Sequence, residues 1–468
     1  MKPILFKNST KRKSSEQKFW KSTGIKSCLL LSLLPLLTGC SPAQEEIFSV
    51  AKGILSGFNA MVFLLIFLCT GYQVVYLLIA LFKKDPILPE GDSHRFAVLV
   101  AARNEEAVIG QLIDSINHQT YPKELVRIFV VADNCTDQTG EVAEQHGATV
   151  FYRQNKEQVG KGYALDFLLG KIKESGGAEK FDGYLVLDAD NLLKEDFLCE
   201  MNKVFSAGYP IVSAYRNIKN YGDNWLSAGC GLTLLREAEF LNHARMQIKS
   251  CCAISGTGFL FSSEIEEEMG GWPFVSLTED LEFNLYHAKK GRKIGYAADA
   301  ILYDEQPVGF SQSWRQRLRW CKGYLVVCKK EWKSLWQAIF SGNLACYDLT
   351  MSVLPAVLVT LLGLAVNLIF SVVSLFFGGN FLDFLLYFSG VLGGTFATFF
   401  ALGLVATISQ WRRIPATAGK KIKYLFSFPI FMLLFLPICI HAFFAHVEWT
   451  PIAHSRALTL QEVEEEKA

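Results

Sequence analysis

Two carboxylates stand one residue apart in Asp188-Ala189-Asp190, directly after the apolar run at 184–187. Paired oxygen ligands of this kind suit a hard divalent cation that is shared with a diphosphate. Taken alone, an Asp-x-Asp pattern is more often a turn or a helix cap at the end of a strand. The pair becomes a candidate metal and diphosphate site only if further motifs accompany it.

Two further motifs carry residues that can contact a nucleotide. Asp133 follows a strand-like run at 127–131 and can reach a base or a ribose, although it can equally cap the helix that is predicted after it. Lys161 lies between Gly160 and Gly162, so that backbone and ammonium group can approach a phosphate. A bare Gly-Lys-Gly is as often the ordinary start of a helix.

Acid–base chemistry has a candidate in Thr278-Glu279-Asp280, at a predicted junction of loop and helix. The hydroxyl of a sugar acceptor has a pKa far above 7, so a carboxylate must take its proton as the new bond forms. Asp280 is our candidate for that base. Thr278 and Glu279 can also be explained as capping residues.

The segment from Gln316 to Trp320 holds groups that suit a diphosphate and a sugar. The guanidinium groups of Arg317 and Arg319 can stabilise charge that develops on a leaving diphosphate, and Trp320 can stack on the apolar face of a pyranose ring. An amphipathic helix at a membrane surface explains the same residues, and the two interpretations are compatible.

A β–α alternation positions the first of these motifs. Apolar runs predict strands at 96–101, 127–131, 148–152 and 184–187, and helical periodicity predicts helices at 109–116, 140–146 and 162–173. Such alternation predicts a mostly parallel sheet whose ligand lies beyond the carboxyl ends of the strands. No GxGxxG follows the first strand and no Walker A sequence occurs, which argues against NAD-dependent and ATP-cleaving enzymes.

Composition excludes other classes of protein. Of 468 residues, 51% are hydrophobic and 19% charged, which disfavours a purely soluble globule. Lys plus Arg number 46 and Asp plus Glu 45, so the chain has no general signal for nucleic-acid binding. The 12 cysteines contain no CxxC pair, which indicates reduced thiols rather than a zinc site or a disulfide framework.

Four runs are long and apolar enough to cross a membrane, at 58–82, 349–377, 384–411 and 424–447. Pro429 and Pro437 can kink or break the last run. The basic loop at 412–423 should lie in the cytoplasm. Residues 85–345 are then cytoplasmic, the connection at 378–380 lies outside, and the C-terminus lies outside if the last run crosses fully.

The chain ends complete the domain organisation. Residues 1–40 resemble a signal sequence, and Leu37-Thr38-Gly39-Cys40 resembles a bacterial lipobox, with an uncleaved anchor or a later start codon as alternatives. The expected order is a signal sequence (1–40), a span (58–82), a catalytic domain (95–330), an interfacial segment (331–348), a membrane region of about three helices (349–447) and a C-terminal tail (448–468). The acidic residues 462–466 of this tail are expected to be a solvated end.

The ordered set of motifs, bracketed by membrane spans, resembles the family 2 membrane glycosyltransferases, which include cellulose, chitin, hyaluronan and poly-N-acetylglucosamine synthases. The resemblance covers about residues 95–325. It implies an α/β fold of the GT-A type, a UDP-sugar donor, Mg²⁺ or Mn²⁺, and inversion at the anomeric carbon of the transferred sugar.

The resemblance also implies residue roles. Asp133 would contact the nucleoside, Lys161 the donor, Asp188 and Asp190 the UDP and the metal, and Asp280 would be the base. The diphosphate and the acceptor would be held by Glu279, Gln316, Arg317, Arg319 and Trp320. One departure leaves the contact of Asp133 open, because the usual Asp-Asp-Gly-Ser reads Ala132-Asp133-Asn134-Cys135 here.

Several functions fit these residues. We expect a processive synthase in the bacterial cell membrane that extends a β-linked polysaccharide from UDP-N-acetylglucosamine or UDP-glucose. The main alternative is a single transfer to a lipid. The small number of spans, about four, mildly favours this alternative, or else an accessory membrane subunit that completes a channel. A sugar-nucleotide sensor would not need Asp280 as a base. A transporter is disfavoured because the spans hold no charged residue that would mark a substrate path.

Overall fold

The computed structural model describes residues 42–83, 88–89, 91–175, 180–352, 355–376, 381–452 and 454–466. These divide into two compact units, one formed by the chain up to Leu65 and by 359–393, and the other by 66–358 and 394–468. The predicted signal sequence, Cys40 and the connection at 378–380 lie outside the described residues.

Eight strands of the larger unit form one sheet in the order β3-β2-β1-β4-β7-β6-β8-β5. The strands are β1 (Phe96–Ala102), β2 (Val126–Asp133), β3 (Thr149–Arg153), β4 (Gly183–Asp188), β5 (Leu192–Leu193), β6 (Ile211–Ile218), β7 (Phe259–Ser262) and β8 (Gly295–Asp304). Four neighbouring pairs are parallel, and β7 and β5 run antiparallel to their neighbours. The predicted α/β fold with a mostly parallel sheet is confirmed.

The other regular elements of the described residues are helices. They are α1 (Pro42–Thr70), α2 (Tyr72–Phe82), α3 (Ile109–Asn117), α4 (Thr139–Gln145), α5 (Lys161–Glu174), α6 (Phe197–Ser206), α7 (Trp225–Arg236), α8 (Ala244–Gln247), α9 (Ser263–Met269), α10 (Glu279–Lys289), α11 (Phe310–Phe340), α12 (Leu344–Met351), α13 (Pro355–Phe376), α14 (Phe381–Ser409), α15 (Ala418–Leu433), α16 (Phe435–Phe444) and α17 (Leu460–Glu465). A π-helical segment (Glu237–His243) joins α7 to α8.

The central strands are apolar along their whole length because both faces of the sheet are covered. Nearly every residue of β1, β2 and β4 is buried, and the exceptions lie at the strand ends or next to them. The four strands predicted up to residue 187 are confirmed with ends within two residues of the expected ones. Parallel pairing of β1 with β2 and β4 places the carboxyl ends of these strands at one edge.

Four helical segments are long and apolar enough to cross a membrane: Ser49–Thr70, Val357–Leu375, Phe388–Ser409 and Ala418–Phe444. The first of these segments begins nine residues before the predicted run, 58–82, and ends twelve residues before the end of that run. The predicted run breaks at Gly71, and the helix after the break buries Tyr76, whose hydroxyl donates to Asp348 at 2.9 Å. In the smaller unit, Asn59 of α1 and Asn367 of α13 exchange side-chain hydrogen bonds of 3.0 and 2.7 Å.

The fourth apolar run breaks at Leu434, between the two prolines that were expected to interrupt it. Its first half packs on α7 and its second half on α11. The tail beyond it also contacts the sheet, although its acidic residues Glu462, Glu464 and Glu465 are exposed. Val463 of α17 is buried against Leu192 and Tyr303 of the sheet. Residues 454–456 lie at the carboxyl ends of the strands, where they contact Glu105 and Glu305.

Candidate active site

Three predicted site residues lie together at the carboxyl ends of β2 and β4. Asp133 is the last residue of β2 and Asp188 the last of β4, and each strand pairs with β1. Asp190 follows in the turn after β4 and is buried. Since the carboxyl ends of parallel strands meet at one edge, this arrangement follows from the topology of the sheet.

The carboxylate of Asp133 is fixed by a partner that the sequence did not indicate. Arg153, at the end of β3, donates to Asp133 Oδ1 at 2.6 Å, and both side chains are buried. Asn134, which stands in the altered motif, adopts a positive φ of 52° and donates to the same oxygen at 3.1 Å. Asp133 is therefore held in place at the strand end, with Arg153 neutralising it.

Lys161 is the first residue of α5, and it links two parts of the site. Its ammonium group forms an ion pair with Asp188 and donates to the carbonyl of Gly256 at 2.8 Å. Gly162 is explained by packing, because a Cβ at that position would lie 2.0 Å from the carbonyl oxygen of Phe274. The ion pair with Asp188 brings the ammonium group of Lys161 to the Asp-x-Asp motif.

Asp190 is buried but is surrounded by cationic and N–H groups. Its Oδ2 accepts from the backbone N–H of Glu305 at 2.6 Å, and its carbonyl accepts from Lys219 at 3.0 Å. Although burial opposes the charge, His454 and Lys219 lower the pKa of Asp190. The carboxylate stays ionised, as a ligand of a cation must be.

The donor set fits a divalent cation that is also bound by its substrate. Asp188 and Asp190 offer carboxylate oxygens, the ligand type that Mg²⁺ and Mn²⁺ prefer. Within the described part of the chain no group of three ligand side chains converges on one point. A cation held by these two residues would therefore take its other ligands from phosphate oxygens and water.

Asp280 lies at the start of α10, beside the loop that Lys161 contacts. Gly256 has a positive φ of 76°, and a Cβ there would lie 3.7 Å from Asp280 Oδ2. Burial raises the pKa of Asp280 against the charges of Arg216 and Lys161. Burial and the neighbouring Asp280 raise the pKa of Glu279 to about 7. A carboxylate with a raised pKa is a stronger base.

Arg216 of β6 is a second residue that sequence reasoning missed. It donates to the carbonyl of Ser255 at 2.6 Å and to Asp304 at 2.8 Å, so it fixes the loop that carries Gly256. An arginine in a strand that is otherwise uncharged was the available signal.

The structure separates the residues of the Gln316–Trp320 motif, all of which lie on α11. Arg319 is partly exposed, and its positive charge opposes the rise in the pKa values of Glu279 and Asp280 that burial causes. Trp320 packs beside the cluster of Leu226, Cys230 and Phe431. Gln316 is buried.

Arg317 does not occupy the expected position. Its side chain is fully buried, donates to the carbonyl of Phe431 at 3.2 Å and lies under the rings of Phe431 and Phe435. The physical reason is the break in the fourth apolar run, where a guanidinium group binds a backbone oxygen of α15. This differs from the predicted contact with a diphosphate or an acceptor.

The C-terminal tail contributes groups that local sequence patterns did not reveal. His454 Nδ1 lies 2.9 Å from Glu105 Oε1, and the backbone N–H groups of Ser455 and Arg456 donate to Glu305. Arg103 lies over the ring of Trp449 at 5.4 Å. Trp449 and residues 454–456 thus contact residues that follow β1 and β8.

Comparisons with known proteins identify the family that the chain resembles. Residues 94–323 match the family model described as glycosyltransferase like family 2. The chain is 27% identical over 251 residues to a probable glycosyltransferase, YdaM, of Bacillus subtilis, covering 50% of this chain and 56% of that protein. It is 26% identical over 262 residues to a β-monoglucosyldiacylglycerol synthase of Synechocystis sp., covering 54% and 53%.

A polysaccharide-forming relative is more distant. A poly-β-1,6-N-acetyl-D-glucosamine synthase of Staphylococcus epidermidis is 21% identical over 264 residues, covering 54% of this chain and 59% of that protein. The matches thus span little more than half the length of these relatives. A solved mannosyltransferase from Pyrobaculum calidifontis, in complex with GDP-Man and Mn²⁺, covers 80% of this chain and 99% of its own with a TM-score of 0.51 at 19% identity, which supports the GT-A-like fold.

Proposed function

Because residues 94–323 belong to the glycosyltransferase family 2, we propose that this chain transfers a hexosyl residue from a UDP-sugar to an acceptor hydroxyl at a membrane. The transfer inverts the anomeric carbon, since the acceptor oxygen attacks from the side opposite the leaving UDP. UDP-N-acetylglucosamine and UDP-glucose are the donors we propose.

One observation carries the proposal. Lys161 bonds both to Asp188, at the donor end of the site, and to the carbonyl of Gly256, which borders Asp280 at the acceptor end. The residue that can neutralise a leaving diphosphate and the residue that can take the acceptor proton are thus joined through a single loop.

The roles of the chain's own residues follow from this geometry. Asp280 accepts the proton of the acceptor hydroxyl as the new glycosidic bond forms. Lys161 and Arg319 stabilise the negative charge that develops on UDP as the old bond breaks. Asp188 and Asp190 would hold Mg²⁺ or Mn²⁺, which would supply Lewis-acid stabilisation to the same diphosphate.

The acceptor we favour is a growing β-linked polysaccharide, as the resemblance of the Gln316–Trp320 motif to processive synthases suggests. A diacylglycerol-type lipid is the second candidate. It is supported by the identity of 26% to a glycolipid synthase, against 21% to a polysaccharide synthase. The two acceptors give products that differ in size and in solubility.

Membranes that contain the chain should be incubated with radiolabelled UDP-glucose or UDP-N-acetylglucosamine and Mg²⁺ or Mn²⁺. We expect label in a high-mass aqueous fraction with the wild type and not with Asp280→Asn. Asp299→Asn is the matched control, because that side chain is 70% exposed on β8. Label in the organic fraction would instead identify a lipid acceptor, and metal-dependent transfer from neither donor would contradict the proposal.

The four apolar helices associate the chain with a membrane, and we propose that the larger unit faces the cytoplasm. The bonds from residues 454–456 to Glu105 and Glu305 support a C-terminus on that same side of the membrane. A reporter fused to the C-terminus should be accessible from the same side as one inserted at the exposed loop residue Lys156. Accessibility from opposite sides would contradict this orientation.

A further inference from the structure

A cavity of about 570 Å³ lies beyond the carboxyl end of β3, outside the candidate active site. Its walls come from residues 152–158, from the start of α5 and from the segment at 269–275 that follows α9. Tyr163, Asp166 and Phe167 line it from the flank of α5 that is turned away from Lys161, as the helical period of 3.6 residues requires. The cavity is therefore separate from the edge that carries Asp188 and Asp190.

The walls combine aromatic rings with amide side chains. Tyr152, which is 52% exposed, lines the cavity together with Tyr163 and Phe167. Asn155 and Gln158 line it as well, and the amide of Asn155 donates to that of Gln158 at 3.2 Å. Aromatic rings present flat apolar faces, and amides both donate and accept hydrogen bonds.

The charges of the walls disfavour an anion as the ligand. Among the described residues that line the cavity, the one cation is Arg153, and it is bonded to Asp133 at 2.6 Å and to the carbonyl of Gln158 at 2.9 Å. Asp166 adds a carboxylate, one oxygen of which accepts from the N–H of Trp272 at 3.0 Å. A phosphate would meet this carboxylate without an unpaired cation to balance it.

We propose that this cavity binds an uncharged saccharide of one or two rings. The apolar faces of a pyranose match the tyrosine and phenylalanine rings, and its hydroxyls match the amides and the carboxylate. The volume lies within the range of about 300–1,000 Å³ that is usual for small-molecule sites. This site goes beyond the proposed transfer reaction, in which none of these wall residues binds the acceptor or the donor.

The position of the cavity connects it to both ends of the transfer site. Arg153 bonds to Asp133 at the donor end. Trp272 stacks on Phe283 of α10, with ring centroids 5.3 Å apart, and α10 begins with Glu279 and Asp280. A bound saccharide therefore contacts residues that hold the donor-side carboxylate and the helix of the candidate base.

Calorimetric titration of the full chain, in a detergent without a sugar headgroup, tests the proposal with cellobiose and N,N′-diacetylchitobiose as probes. Val275→Trp fills the cavity from a position that is 42% exposed, and Val308→Trp, at 46% exposure outside it, is the matched control. We expect Val275→Trp to weaken binding by at least about tenfold and Val308→Trp to leave it unchanged. Gln158→Ala, at an exposed position, provides a second variant should Val275→Trp fail to fold.

Three outcomes would overturn the proposal: no binding of either sugar by the wild type, equal binding by the wild type and both cavity variants, or loss of binding only in Trp320→Ala. The last result would assign the sugar to the acceptor side of the transfer site. Because binding is measured without a donor, a failure of this proposal is distinguishable from a failure of the proposed transfer reaction.

Discussion

Arg317 Nη1 donates to the backbone carbonyl of Phe431 at 3.2 Å, close to the point where the fourth apolar run breaks. The guanidinium carbon lies 4.3 Å from the centroid of the Phe431 ring and 5.2 Å from that of Phe435. Two neighbouring arginines of one motif thus have different surroundings, because Arg317 is fully buried and holds helices together while Arg319 is partly exposed.

Replacement of Arg317 should reduce stability more than it changes the chemistry. A charge-assisted hydrogen bond contributes about 1.5–3 kcal/mol, and Arg317→Ala also removes the two ring contacts. We expect the apparent melting temperature of the detergent-solubilised chain to fall by several degrees. Replacement of an exposed arginine, in Arg315→Ala, should leave the melting temperature unchanged. Arg319→Ala should lower kcat and should also leave the melting temperature unchanged. A Tm equal to that of the wild type for Arg317→Ala would contradict the role of Arg317 in holding these helices together.

Lys161→Ala should have opposite effects on transfer and on cation binding. The lysine forms an ion pair with Asp188, so its removal frees that carboxylate to bind a metal. Since the carboxylate is 34% exposed, the pair is worth up to about 1 kcal/mol, or about fivefold in cation affinity. The variant also loses the ammonium group of Lys161, which stabilises the leaving diphosphate, and kcat should therefore fall by about a hundredfold.

Titration with Mn²⁺, followed by electron paramagnetic resonance without donor, measures the first effect, and initial rates measure the second. Lys171→Ala is the control, since it lies on the same helix and pairs with Glu174 at the surface. Weaker binding of Mn²⁺ by Lys161→Ala would show that the lysine helps to hold the cation rather than compete with it.

The pH dependence of transfer should report on Asp280. Burial raises the pKa of this carboxyl while Arg216 and Lys161 oppose the rise, and a base must be deprotonated to act. The rate should therefore increase with pH up to a plateau, with a midpoint above the ordinary range of an aspartate. Arg216→Gln removes a cation, which raises the pKa of Asp280 and moves the rising limb to higher pH.

A pH–kcat profile of the wild type, Arg216→Gln and Arg216→Lys tests this sign. Arg216→Lys retains the charge and should keep the midpoint near that of the wild type even if its rate is lower. A limb that stays in place, or that moves to lower pH, in Arg216→Gln would exclude Asp280 as the group that titrates.

Local patterns were sufficient for part of the fold and of the site. The strands up to residue 187 were predicted because each is an apolar run followed by a helical period, and Asp133, Lys161 and Asp188 lie where strand ends must meet. Arg153 and His454 were missed because their partners lie 20 and 349 residues away in sequence. Periodicity carries no information about such pairs.

The Gln316–Trp320 motif shows a different limit of sequence reasoning. All four named residues fit a diphosphate and a sugar by type, but on a helix adjacent positions point in different directions. Arg317 and Arg319 are two residues apart and therefore face different surroundings, one the broken helix α15 and the other the candidate base. The residue types could be predicted from the sequence, but which side chains reach the site depends on their positions around the helix.

The last prediction concerns the tail that crosses the strand ends. Val463 is fully buried against Leu192 and Tyr303, so a carboxylate at this position would have to be desolvated, at a cost of about 2 kcal/mol or more. We expect Val463→Asp to release α17 and to weaken the bonds of residues 454–456 to Glu105 and Glu305. Hydrogen exchange should then accelerate at the N–H groups of Ser455 and Arg456, which donate to Glu305 in the wild type. Gln461→Asp adds the same charge at an exposed position of α17 and should leave that exchange slow, because nothing there has to be desolvated. Equal protection of the two backbone groups in Val463→Asp and the wild type would mean that the contacts of residues 454–456 hold the tail without the packing of α17.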